Sequence, residues 1–157
     1  MADTALNARG FGISNGVITI VALIAGFYAT HTPKIGILGA LLSLLITDPL
    51  GDSYSIYIAM RDSDERAARS TFFGTWKYQV IVQGLFLAIV FFTSTTATAL
   101  TVSCICGTLL ILYDLTQRLP SAAHILREYA AMVTLITFTF VVDTGAYRLL
   151  DGHGVKE

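Results

Sequence analysis

The sequence predicts an all-α polytopic membrane protein with five transmembrane helices, and three observations predict it. Hydrophobic residues make up 54% of the 157-residue chain and charged residues only 13%, whereas soluble domains are typically about 45–50% apolar and about 25% charged. The apolar residues gather into five runs, each near the roughly 20 residues that cross the hydrocarbon of a bilayer. Short polar, Pro-containing or Thr-rich segments punctuate the runs. The spans leave almost nothing for a separate soluble module, so residues 1–157 form a single domain.

The first span covers 13–30, and Pro33 and Lys34 close it. The apolar run is long and lacks an A-x-A cleavage pattern, so it reads as a retained span and not as a cleaved signal peptide. The start and end of the chain carry no lipidation motif. The second span, 35–60, is long enough to tolerate a tilt or a break. Pro49 lies inside it. A proline lacks the N–H and its ring clashes with the preceding turn, so the helix is expected to break at Asp48–Pro49 and to free the carbonyl of Leu45. The run RDSDERAARSTF that follows reads as a solvated connection. The third span is 76–93. The small polar turn TSTTAT separates it from the fourth, 99–115. Gln117, Arg118 and Pro120 interrupt the chain again, and Ser121 can cap the fifth span, 125–150. Gly12, Gly16 and Gly26, and Gly36 with Gly39, offer close approach between helices.

An odd number of spans puts the termini on opposite faces. Arg9, Arg61, Arg66, Arg69, Lys77, Arg118 and Arg127 fall on one side; Lys34, Arg148 and Lys156 fall on the other. By the positive-inside rule the N-terminus is cytosolic and the C-terminus lies outside the cytosol.

Several function classes are excluded. The net charge of −1 offers no basic field for nucleic acid. No metalloprotease, hydrolase or phosphate-loop motif is present, so the chain is not expected to be an enzyme. His31, His124 and His153 lie in loops or at ends and do not make a buried haem pair. Cys104 and Cys106 point to different sides of one span and read as small buried packing residues. No permanently bound cofactor is expected.

The polar residues inside the spans carry the functional signal. Asp48 and Asp52 sit in the middle of the second span, where a charge costs roughly 2.5–3.5 kcal/mol on insertion scales. They are four apart, so a helix points both to one face. Asn15 and Thr19 share a face of the first span, and Thr47 and Ser53 flank the acidic pair. Asp143 lies in the fifth span, where it either pairs with Arg148 or lines the same path. Asp114 and Gln117 close the fourth span at the interface. Carboxylate, amide and hydroxyl oxygens suit Mg²⁺, Ca²⁺, Mn²⁺ or Fe²⁺ better than soft ions. The same carboxylates can relay protons. The expected metal ligands are Asp48, Asp52, Asn15 and Ser53, with Thr19, Thr47 and Asp143 along an ion path or proton relay.

Five spans, a cytosolic N-terminus and the motif Ser14-Asn15-Gly16 at the head of the first span resemble the vacuolar iron transporter family. So do the run Ala22 to Gly26 and a second span that leads through Tyr54 to Arg61-Asp62. The resemblance implies a homodimer that moves Fe²⁺ or Mn²⁺ out of the cytosol in exchange for protons, along a path between the first two helices. Asn15 stands where that family carries an aspartate. About fifteen residues, 61–75, replace its cytosolic metal-binding helices. A divalent-cation transporter is therefore the leading expectation. The alternative is a small non-transporting subunit or scaffold that packs against larger membrane partners.

Overall fold

The computed structural model describes residues 2–119 and 121–152, and these form five helices joined by short turns: α1 (Ala2–Ala29), α2 (Lys34–Arg61), α3 (Glu65–Phe92), α4 (Thr96–Arg118) and α5 (Ala122–Gly152). All five contain a segment long and apolar enough to cross a membrane. The chain is an all-α, polytopic, integral membrane protein. His153 and Lys156 lie outside the described residues.

The helix α1 is the centre of the bundle. It packs on α3, α4 and α5, while α2 rests chiefly on α3. Ile13, Val17, Ile20, Val21 and Ile24 are buried along one face of it, at the spacing of a core-facing stripe, and Gly12, Gly16 and Ala25 are buried to either side of that stripe. Two glycines set its distance from α3. A Cβ at Gly12 would lie 2.8 Å from the Thr75 carbonyl oxygen, and one at Gly16 would lie 3.2 Å from Val82. Gly39 meets nothing within 4 Å and Gly36 meets only Thr32, so that pair makes no helix contact within the chain.

Two helix starts depart furthest from the sequence expectation. The helix α3 begins at Glu65 and not near 76, because the Asp64 side chain accepts from the Ala67 N–H at 3.0 Å and caps it. Glu65 and Arg69 add an i,i+4 pair at 2.7 Å on the first turns. The polar run therefore continues the helix, and only 62–64 form the connection. The helix α1 likewise begins well before residue 13.

The expected break at Asp48–Pro49 is absent: α2 runs unbroken from Lys34 to Arg61 with Pro49 buried inside it. Proline removes one backbone hydrogen bond, whereas unwinding a turn would strip several backbone groups of partners in a medium without water. Carrying the proline within the helix costs less than breaking it.

At the far end of α2, Lys34 Nζ donates to the carbonyls of Phe91, at 2.9 Å, and Thr93. A cation there satisfies carbonyls that a helix C-terminus leaves open. This contact ties the start of α2 to the end of α3 and fixes their antiparallel register.

Candidate functional site

The antiparallel register brings two i,i+4 pairs face to face. Asp48 and Asp52 project from α2; Gln79 and Gln83 project from α3. Gln83 Nε2 donates to Asp48 Oδ2 at 2.6 Å. Gln79 Nε2 lies between the acids, 2.8 Å from Asp48 Oδ2 and 2.7 Å from Asp52 Oδ2. From α1, Asn15 Nδ2 donates to the same oxygen of Asp52. The three contributing helices are each 28 residues long. Each supplies its residues from near its own midpoint, so the cluster lies halfway along the bundle.

The close approach at Gly12 and Gly16 explains why Asn15 reaches across. Gly16 stands against the Gln79 side chain as well as Val82, so at this level the backbone of α1 rests directly on side chains of α3.

The electrostatics are one-sided. Among the described residues no Lys, Arg or His forms an ion pair with Asp48 or Asp52. Among the described residues their hydrogen-bond partners are three neutral amides. Each amide gives its nitrogen and leaves an oxygen over. Gln79 is fully buried and Gln83 nearly so, and both Oε1 atoms lack a hydrogen-bond partner. Buried acceptors without a donor are uncommon and call for an explanation.

The remaining expected site residues lie elsewhere. Ser53 is buried next to Asp52 in sequence, and its hydroxyl has no partner. Thr47 is exposed and donates to the Ser43 carbonyl at 3.1 Å, so it turns along its own helix and away from the acids. Thr19 is partly buried one turn beyond Asn15 and makes no hydrogen bond to either carboxylate. Asp143 is remote: its Oδ2 would lie 2.6 Å from a Cβ on Gly26, eleven residues or about 16 Å along α1 from Asn15. No ion pair joins it to Arg148 among the described residues. It lines a cavity of about 340 Å³ with Thr30, Thr32 and Tyr147.

A second charged cluster joins α1 to the end of α4. Asp114, expected at the interface, is fully buried. Arg118 holds its Oδ2 at 2.6 Å and Arg9 approaches its Oδ1 at 3.5 Å, while the Arg9 guanidinium also covers the Tyr113 ring at 5.4 Å. Gly10 makes room for Arg118, whose guanidinium a Cβ there would overlap. Cys104, read as buried, is exposed; Cys106 is partly buried against the core.

The arrangement at mid-bundle brings together two carboxylates and three amides, with no counter-charge paired to the acids among the described residues. Comparison of the chain with protein-family models, with curated proteins and with solved structures returns no match.

Proposed function

We propose that the chain is a divalent-cation transporter whose binding site is the cluster formed by Asp48, Asp52 and Asn15 against Gln79 and Gln83. One observation carries this reading: two acids lie at the middle of the spans with only neutral partners. The same chain pairs its fully buried acid, Asp114, with two arginines. An intramembrane carboxylate left without a fixed counter-charge marks an ion or proton pathway. The all-oxygen character of the cluster favours a hard ion such as Mn²⁺, with protons as the exchanged species when the metal leaves. The resemblance to the vacuolar iron transporter family adds export from the cytosol and a two-subunit assembly.

The test is Mn²⁺ uptake into proteoliposomes. Wild-type protein should carry the ion, and D48N/D52N should reduce flux to that of empty vesicles while remaining folded. Undiminished flux in the double variant would refute the proposal. A second reading, a non-transporting packing subunit, draws on the fact that amide donors already meet both acids. It predicts no flux from the wild type.

For the orientation we propose a cytosolic N-terminus, on the division of Lys and Arg between the two ends of the helices, six (Arg9, Arg61, Arg66, Arg69, Arg118 and Arg127) against three, with Lys77 placed inside α3. Single cysteines introduced at positions 4 and 155 of a background lacking Cys104 and Cys106 should be labelled from opposite sides of sealed vesicles. Labelling of both from one side would overturn this topology.

A further inference from the structure

We infer that Gln79 and Gln83 are themselves metal ligands, whose side-chain amides turn their oxygens onto a divalent cation held between Asp48 and Asp52. The inference rests on the cation-site reading above and extends it to residues that the sequence did not single out. Three observations lead to it. Both amide groups touch the carboxylates, at 2.6–2.8 Å. Both Oε1 atoms are buried and unpartnered. No other chemistry in the cluster makes use of those oxygens.

A hard divalent ion needs six or more oxygen ligands. Two aspartates, Asn15 and Ser53 leave positions around the ion that would otherwise fall to water, and the two glutamine oxygens would fill them. A half-turn about the last torsion of a glutamine exchanges its nitrogen and oxygen, and that torsion is broad. Without metal the N–H groups face the acids and offset their repulsion. With metal the acids bind the ion, the N–H groups lose their acceptors, and the oxygens that had no partner gain one. The two states use the same atoms in opposite roles. A proton needs only a carboxylate oxygen, so the glutamines would distinguish metal from proton at a site open to both.

Infrared difference spectroscopy on protein labelled with ¹³C at the glutamine Cδ tests the idea in the wild type. The chain has only three glutamines, and the third, Gln117, is exposed at the end of α4 and serves as an internal reference. Saturating Mn²⁺ should shift the carboxylate bands together with two of the three labelled carbonyl bands. Carboxylate shifts without any amide shift would overturn the inference and leave the cation site standing. No shift in either would overturn both.

Titration of Mn²⁺ into two variants adds a second readout. Q83L should weaken binding by on the order of 10–100-fold, whereas Q83E, which keeps oxygens and loses the N–H donors, should bind at least as tightly as wild type. Equal loss in both variants would mean that Gln83 serves as a donor to Asp48 and not as a ligand.

Discussion

Replacing Asp114 by alanine is expected to cost about 3–5 kcal/mol of stability, the range for removing one partner from a buried ion pair. The carboxyl group has a side-chain exposure of 1%, and the two guanidiniums that meet it are only 23% exposed. Its removal leaves two partly buried cations beside each other with no anion between them. Arg118 would lose two contacts, its Nε at 2.7 Å and its terminal nitrogen at 2.6 Å. Arg9 comes from the first turns of α1 and Arg118 from the last turn of α4, so the loss also loosens the contact between those helices. Unfolding in mixed micelles measures the cost, and a double-mutant cycle with Arg118→Ala tests its cause. The double variant should lose less than the two single losses added together, because removal of Arg118 also removes part of the repulsion. A cost below about 1 kcal/mol for Asp114→Ala would show that the cluster is solvated and not structural.

How much of this was legible in the sequence depended on whether the signal was local. The five spans were visible because length and hydropathy are properties of one segment at a time. The acidic pair was visible for the same reason: four residues apart on one helix is a statement about a single chain segment. The start of α3 was hidden behind its charges, yet the cap was there to read in Asp64, as was the Glu65–Arg69 spacing. Pro49 misled because the rule for proline in water weighs one lost hydrogen bond against solvation that a bilayer does not offer.

The partners of the acids were harder to find, because they depend on which helices pair and at what register. Even so, Gln79 and Gln83 repeat the four-residue spacing of Asp48 and Asp52 inside an apolar run. Two such polar pairs on adjacent antiparallel spans are a signal that reading each span alone does not detect. Asp114 and Arg118 show the same spacing at the end of α4. The place of Asp114 in the span points to the interface, whereas its pairing with Arg9 from α1 depends on which helices meet.

The double replacement of Asp48 and Asp52 by asparagine is expected to do the opposite of Asp114→Ala: to raise stability by about 1–3 kcal/mol while abolishing metal flux. An acid at mid-membrane costs roughly 2.5–3.5 kcal/mol on insertion scales. Here two acids share the Gln79 nitrogen and no cation offsets their mutual repulsion. Asparagine keeps an oxygen for each existing donor, so the bonds from Asn15, Gln79 and Gln83 survive. It also brings a new N–H₂ group within reach of amides whose oxygens, Gln79 Oε1 and Gln83 Oε1, have no donor in the native protein. Satisfying a buried acceptor contributes about 1 kcal/mol. The trade of function for stability is characteristic of residues kept for activity. If the acids instead served as glue between α2 and α3, their weaker, neutral replacements would loosen the bundle. A fall in unfolding free energy of more than about 1 kcal/mol in the double variant would therefore count against the transport reading, independently of any flux measurement.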